Sequence, residues 1–308
     1  MDAEQVILLI LLAAIFASVL ALGCRAKPAE VASLWRRPGL LFRSLVAMFL
    51  VAPAVTLVMI ELLPLPRGVK IGLVLLSISC ALPPNWKQML ALGGSPSYVF
   101  GLLFTTTLLA VVTVPLSVAV LTALPLGADE SVPVLKVAGL VGIVFFAPLA
   151  SGMFLQRFAP LIADRVSDRV SGVAGVLLLV ALLGLLAYNF SAVWEIDLLS
   201  YVTIAVLVMA SLALGHWLGG PEPGDRATLA IATAARFPGI AAVIAAANFP
   251  HHKNAVVIIV AYLIVTLPLL NAYARWWKKQ TAARFGEPNK EAIEETPAKN
   301  ASTASFTH

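Results

Sequence analysis

Long apolar runs, separated by short polar connections, dominate this chain of 308 residues. Nine of these runs are close to the ~20 residues that a helix needs to cross a bilayer. They cover approximately 6–23, 40–63, 71–93, 97–124, 134–156, 170–189, 198–218, 227–249 and 254–274. A transmembrane β-barrel would instead show short segments of alternating polarity. The pattern therefore predicts an all-α polytopic membrane protein with about nine transmembrane helices.

Two of the runs are interrupted near their middles. The third contains Pro83-Pro84-Asn85 and then Lys87, and the eighth contains Arg236-Phe237-Pro238-Gly239. Proline removes a backbone donor and disfavours helix in the residue before it. Backbone that is freed inside a bilayer is tolerated only where protein buries it or where it lines a cavity. Two such breaks, in corresponding positions of two halves, are typical of the binding site of a secondary transporter.

The two broken runs are five spans apart, so they run in opposite directions. This offset predicts an inverted repeat, the architecture that permits alternating access. Repeat one covers about 1–124, where one leading helix is missing, and repeat two covers about 133–276 within a transmembrane domain of 1–279. The polar tail 280–308 has almost no apolar periodicity. Since it cannot bury a core, it is predicted to be disordered in the cytoplasm.

Composition and charge agree with a membrane protein. Hydrophobic residues make up 60% of the chain and charged residues 12%, whereas about a quarter of a soluble domain is charged. Much of the net charge of +5 lies beside apolar runs, so it indicates membrane orientation and not nucleic-acid binding. Basic residues follow runs one, five and nine: Arg25, Lys27, Arg36, Arg37, Arg157, Arg165, Arg169, Arg275, Lys278, Lys279 and Arg284. The positive-inside rule then predicts an outside N-terminus and a cytoplasmic C-terminus, in a bacterial inner (plasma) membrane.

Other classes of function find little support. The acidic start Met1–Gln5 favours a retained first helix over lipoprotein-type cleavage before Cys24. Cys24 and Cys80 are far apart and are expected to be small buried hydrophobes, with no disulfide or metal site. No glycine-rich phosphate loop, pair of mid-membrane carboxylates or activated nucleophile is present in the sequence. We therefore expect no enzyme activity and no bound cofactor.

Several stretches resemble the bile acid:sodium symporter family, from about Trp35 to Tyr273. The stretches that carry the resemblance include Phe49-Leu50-Val51-Ala52-Pro53, Ala147-Pro148-Leu149-Ala150-Ser151-Gly152-Met153 and Gly239-Ile240-Ala241-Ala242. The resemblance implies a panel domain and a core domain, with two broken helices that cross in the core. Prolines at both breaks are also similar to the auxin-carrier arm of the same superfamily, which does not depend on sodium.

The chain departs from the family where the family binds sodium. The family's second broken helix carries a Glu and, four residues later, a Gln that ligate sodium; the matching positions here are Ala232 and Arg236. Sodium needs oxygen ligands, as other hard cations do, and a nearby guanidinium opposes cation binding. Asn85 matches the Ser-Asn end of the family's first break. The resemblance thus implies the fold, whereas loss of the family's sodium ligands is predicted.

Arg236 is the main candidate for substrate contact because it lies near the centre of its run. An ionisable residue at that depth is costly and usually faces a cavity. One interpretation is that Arg236 binds a carboxylate or another oxyanion, next to the N–H groups of the helix that begins after Pro238-Gly239. The other is structural, either an ion pair or a clamp on backbone carbonyls.

The remaining candidates have two interpretations each. Lys87 either faces the cavity or snorkels along its half-helix. Asn85 either only satisfies freed backbone groups at the break or contacts ligand as well. Thr106 and Thr107 either line the site or back-bond within their helix, while Phe237 either packs as a hydrophobic plug or stacks on a ligand.

The leading hypothesis is a secondary carrier that moves a small organic anion across the bilayer by alternating access. Its energy source is a proton, a sodium site unlike the family's, or the substrate gradient alone. The first alternative is a sodium-coupled symporter of a bile acid-like anion. The second is a membrane sensor or scaffold that has lost transport, which a dry and apolar crossing would favour.

Overall fold

The computed structural model describes residues 3–81, 83–123, 134–249 and 252–285, which are helical over most of their length. The helices are α1 (Ala3–Arg25), α2 (Pro28–Trp35), α3 (Pro38–Leu45), α4 (Ala52–Leu62), α5 (Arg67–Ile78), α6 (Trp86–Ala91), α7 (Pro96–Ala123), α8 (Val134–Val141), α9 (Ala147–Phe158), α10 (Pro160–Tyr188), α11 (Phe190–Trp194), α12 (Leu198–Leu218), α13 (Pro223–Ala234), α14 (Pro238–Asn248) and α15 (Lys253–Phe285). A 3₁₀ turn, Pro83–Asn85, precedes α6, and two π-helical segments, Val46–Val51 and Gly142–Phe146, lie inside longer helices.

Seven helical segments among the described residues are long and apolar enough to cross a membrane. They are Gln5–Arg25, Pro38–Leu62, Pro96–Leu116, Leu135–Phe158, Pro160–Tyr188, Leu198–Leu218 and Asn254–Ala283. The other two predicted spans are the interrupted ones, which form α5 with α6 and α13 with α14. The prediction of an all-α polytopic membrane protein is confirmed.

The last span is longer than predicted. Its apolar run ends near residue 274, yet α15 continues through Phe285. The extra turns contain Ala, Lys, Arg and Gln, which have high helix propensity, so the helix continues beyond the apolar stretch. Residues 280–285 of the predicted tail are therefore helical, and its remainder, 286–308, lies outside the described residues. A second compact unit begins at Asn271, and the site described below lies within the first.

The helices of the first unit pack in two groups. In one, α1 packs against α9 and α10; in the other, α13 packs against α12 and α6, and α5 packs against α4 and α14. We call the first group the panel and the second the core, after the two domains that the resemblance implies. α1 also contacts α14 and the 3₁₀ turn of the core, so the broken segments lie against the panel.

Small residues allow close approach within each group. In the panel, a Cβ on Gly152 of α9 would lie 2.6 Å from the Leu20 carbonyl of α1. In the core, a Cβ on Gly72 of α5 would lie 2.7 Å from the Ala255 carbonyl of α15. Both are shorter than real Cβ contacts, so only glycine lets these backbones meet, as is common between membrane helices. The contact of α5 with α15 brings Tyr262 of α15 to the breaks.

Candidate functional site

The two breaks meet in the core. Ala81 and Arg236 form an isolated antiparallel bridge, and the Phe237 N–H donates to the Cys80 carbonyl at 3.0 Å. The same N–H also lies 3.2 Å from Ser79 Oγ. The broken segments thus cross at residues that are not helical in either segment. There, backbone groups without a partner in their own helix form hydrogen bonds with the other segment.

The first break begins where α5 ends. Ser79 is extended, with φ −68° and ψ 154°, and its hydroxyl donates to the Leu76 carbonyl at 2.7 Å. Proline has no N–H, so Pro83 and Pro84 cannot continue the helical bonding of α5. The helix resumes in α6 directly after Asn85. The Ser79 carbonyl, one residue past the end of α5, has no helical donor and is left for another group.

The second break depends on Tyr262, which sequence reasoning did not select. α13 ends at Ala234 and α14 begins at Pro238, with Phe237 extended between them. The Tyr262 hydroxyl donates to the Ala234 carbonyl and accepts from the Arg236 N–H at 3.4 Å. Its side chain is 6% exposed. A tyrosine inside an apolar run was the available signal, because a buried tyrosine hydroxyl usually has a hydrogen-bond partner.

The Arg236 guanidinium is buried at this crossing, with only 4% of the residue exposed. Nη1 donates to the Ser79 carbonyl at 3.0 Å, and Nη2 donates to the Met48 carbonyl at 2.8 Å. In this conformation the side chain is thus a clamp on backbone carbonyls of two other helical segments. Contact of Arg236 with a transported anion stays a prediction.

The electrostatic surroundings of Arg236 consist of dipoles. One ion pair is present among the described residues, and it joins Arg25 to Asp168. Within the described part of the chain, Arg236 therefore has no carboxylate partner. Its carbonyl ligand at Ser79 follows the C-terminus of α5, and Arg236 itself follows the C-terminus of α13. Helix C-termini carry partial negative charge, which stabilises a cation but does not neutralise it. The crossing therefore keeps a net positive charge.

A small cavity with a largely apolar lining adjoins the guanidinium. Its polar lining consists of Thr56, Ser77, Ser211, Arg236 and Tyr262. The space open to the centre of a water molecule is about 20 Å³, and one water needs about 10–15 Å³. The cavity can therefore hold about one or two waters, and an organic anion requires a wider opening.

The other predicted site residues lie outside this cavity. Lys87 is exposed, with Nζ 5.3 Å from the centre of the Trp86 ring. Phe237 is fully buried and meets Phe145 edge-on, with ring centres 6.1 Å apart. Gly239 is buried against α1, where an added Cβ would lie 3.3 Å from side-chain carbons of Ile15. Phe237 and Gly239 thus pack against residues outside the core group, whereas Lys87 does not.

The predicted polar residues near the first break differ in their bonding. The Thr106 hydroxyl donates to the Leu102 carbonyl at 2.9 Å, which is back-bonding within its own helix. Thr107 Oγ1 and Asn85 Nδ2 are buried and have no hydrogen-bond partner among the described residues. Among the described residues, the hydrogen bonds of Arg236 and the lining of its cavity do not involve these three residues, and their roles stay predictions.

A second cluster joins panel to core away from Arg236. Arg25, at the end of α1, forms an ion pair with Asp168 of α10, and its guanidinium carbon lies 4.7 Å from the centre of the Trp86 ring. Trp86 begins α6, directly after the first break. We call Arg25, Trp86 and Asp168 the Arg25 cluster. Sequence reasoning used Arg25 only for orientation, because no local pattern links these three positions.

A comparison with family models gives a match to the Sodium Bile acid symporter family over residues 10–196, more than half of the chain. The chain belongs to this family. The members of this family are transporters, and membership confirms the resemblance seen in the sequence. The matched stretch ends before α13, so the assignment of Arg236 to the second break rests on the crossing itself.

Curated relatives of this symporter-family chain include the P3 protein of Mus musculus, 29% identical over 192 residues. The alignment covers 60% of the chain and 39% of that relative. The P3 proteins of Homo sapiens and Bos taurus are 29% identical over 182 residues, which cover 57% of the chain and 37% of each relative. The aligned region is thus less than half the length of these relatives.

The positions that the resemblance assigns to the family's sodium ligands, 232 and 236, carry no side-chain oxygen in this chain. Ala232 is fully buried and offers only a methyl group. Arg236 brings a fixed positive charge, and it already holds the carbonyl oxygens of Ser79 and Met48. A cation at the same oxygens would compete with and be repelled by the guanidinium. The residues present therefore do not fit a sodium ion at this place.

Proposed function

We propose that the chain is a secondary transporter that carries a small organic anion across the membrane by alternating access at the crossing. Family membership supports transport, and one observation carries the choice of an anion. The Arg236 guanidinium is buried where the broken segments cross, and its hydrogen-bond acceptors there are carbonyls. A positive charge at this depth attracts an anion strongly, because low dielectric weakens screening.

The guanidinium has N–H donors left for an anion. Its bonds to Ser79 and Met48 use two of the five N–H donors of an arginine side chain. The cavity beside it is also lined by the hydroxyls of Thr56, Ser77 and Ser211, of which the first two donate to carbonyls of their own helices. An anion that enters when panel and core separate would meet the charge of the guanidinium directly. The crossing therefore holds a buried charge beside a cavity, which supports a carrier over a sensor with a sealed apolar crossing.

The energy source in this proposal is not sodium bound by the family's ligands. A proton or the gradient of the anion drives transport instead, since the side chains of Ala232 and Arg236 offer no oxygen to sodium. The sodium-coupled symporter of a bile acid-like anion is the alternative that a sodium dependence would restore.

We further propose that the chain lies in a plasma membrane, of the bacterial inner type, with its N-terminus outside. The basic residues Arg25, Lys27, Arg36 and Arg37 follow the first span, and Arg157 follows the fifth. The positive-inside rule assigns both connections, and the C-terminus, to the cytoplasm.

Thermal unfolding of the purified protein in detergent tests the proposed ligand class. The probes are small mono- and dicarboxylates, sulfonates and bile acids, each with sodium chloride or choline chloride. A ligand that binds the native state raises the unfolding temperature by mass action. We expect at least one organic anion to stabilise the protein equally in sodium and in choline. Stabilisation only in sodium would restore the symporter reading, and no response to any anion would contradict the proposal.

A further inference from the structure

The Met48 carbonyl is available to Arg236 because of the π-helical segment before Pro53. In a π-helix each N–H reaches the carbonyl five residues back, and the Ala52 N–H accordingly donates to the Ala47 carbonyl. The next donor in this register would be Pro53, which has no N–H to give to Met48. The segment thus frees a main-chain oxygen inside the core.

The second oxygen is freed by the first break. The Ser79 carbonyl follows the last residue of α5, and its oxygen lies 3.0 Å from Arg236 Nη1. Two helix C-termini, those of α5 and α13, end at the crossing. Their partial negative charges add to the two freed oxygens. Carbonyl oxygens and helix dipoles of this kind attract a cation, and the two carbonyls supply part of the oxygen shell that a small cation needs.

We propose that Arg236 acts as a tethered cation, its guanidinium filling a site of main-chain carbonyls that a free monovalent cation would otherwise occupy. The inference rests on the proposed function, in which sodium is not bound by the family's ligands. The inference also gives the guanidinium a permanent structural role. Its charge holds α5, α13 and the π-helical segment together in every transport cycle. Such a carrier needs no co-transported cation to keep its crossing assembled.

If Arg236 only fills space, a different effect of its removal on stability is expected. Buried charges are costly, and a hydrophobic residue of similar size is often neutral or stabilising in their place. If the site requires a cation, removal of the charge leaves two buried carbonyls without a donor, and an added cation restores the lost interaction. Rescue by a free ion therefore separates a cation site from simple packing.

The test uses the full-length Arg236→Ala variant in detergent and measures its unfolding temperature. Guanidinium, sodium, potassium and choline are added as chlorides at equal, millimolar concentrations, where guanidinium does not denature. We expect Arg236→Ala to unfold at a lower temperature than wild type. Guanidinium well above its dissociation constant should then raise it by about 3 °C or more. Wild type should not respond.

Arg226→Ala is the matched control. Arg226 lies on α13, and its Nε likewise donates to a backbone carbonyl, that of Gly220, at 2.6 Å. Gly220 lies before α13, away from the crossing, so no cation is expected to rescue this variant. Rescue of both variants alike, or of neither, would overturn the inference.

Arg236→Lys and Arg236→Met keep the inference testable if the alanine variant does not fold. Lysine keeps the charge, whereas methionine keeps much of the length without it. We expect the lysine variant to unfold at a higher temperature than the methionine variant; the reverse order would identify Arg236 as a costly buried charge and overturn the inference. These measurements need no substrate, so failure of the inference is distinct from failure of anion binding.

Discussion

At the scale of single residues, the crossing depends on side chains that repair broken backbone. Tyr262 bonds the Ala234 carbonyl and the Arg236 N–H, and Arg236 bonds carbonyls of Ser79 and Met48. A buried polar group without a partner is destabilising, because its hydrogen bonds to water are lost and no protein hydrogen bond replaces them. The break is thus stable only while these two side chains are present.

Tyr262→Phe should destabilise the protein by about 1–3 kcal/mol, because it leaves the Ala234 carbonyl without its donor. Thermal unfolding in detergent measures the loss. Tyr188→Phe is the control, since Tyr188 is 52% exposed, and its unfolding temperature should match wild type. Equal stability of the Tyr262 and Tyr188 variants would contradict the assigned role of Tyr262.

Glu30 should make stability depend on pH. Burial raises the pKa of this carboxyl above its ordinary value of 4.5, although Lys27 and Arg25 oppose the shift. A folded state that holds the proton more tightly loses stability as pH rises from that ordinary value through the folded pKa. Glu30→Gln removes this loss, so its unfolding temperature should exceed that of wild type by more at pH 8 than at pH 4. A constant difference would show that Glu30 does not titrate in this way.

At the scale of elements, helices meet closely where glycine allows it, and the Arg25 cluster joins panel to core. α5 carries the first break, and its contact with α15 at Gly72 sets where Tyr262 reaches the crossing. Arg25 and Trp86 connect α1 to α6. In the proposed alternating access, separation of panel from core would break this cation–π contact.

Gly72→Ala should cost about 1–3 kcal/mol of stability, since a Cβ would lie 2.7 Å from the Ala255 carbonyl. Gly175→Ala is the matched control on α10, where an added Cβ has no neighbour within 4 Å. That control should be neutral or slightly stabilising, because alanine favours helix over glycine. If the two variants unfold at the same temperature, α5 and α15 do not pack as described.

Trp86→Ala should loosen the contact between panel and core. Cys24 and Cys80 are the two cysteines of the chain, and both are fully buried. Cys24 precedes Arg25, so loss of the Trp86 ring should speed its alkylation by a maleimide, as followed by peptide mass spectrometry. Trp217→Ala, at a side chain that is 79% exposed, is the control and should leave the rate unchanged. Equal alkylation rates of Cys24 in both variants would show that the Trp86 ring does not hold panel against core.

At the scale of the whole molecule, sequence reasoning identified the spans and both breaks, because bilayer thickness and proline chemistry are local constraints. It also selected Arg236, an arginine deep in an apolar run. It did not identify the Met48 carbonyl or Tyr262 as partners, because π-helical register and contacts between distant helices do not follow from local patterns. The exposure of Lys87 could not be predicted for the same reason, since it depends on how α6 packs against other helices.

The function proposed for the whole molecule is exchange of a small organic anion through a crossing that keeps its own positive charge. Counterflow in proteoliposomes tests it most directly, because exchange of labelled for unlabelled anion needs no driving ion and no known direction. The probe is an organic anion that stabilises the purified protein. Wild type should exchange it at equal rates in sodium and in choline, and Arg236→Met should not. Exchange that requires sodium, or that survives in Arg236→Met, would contradict the account.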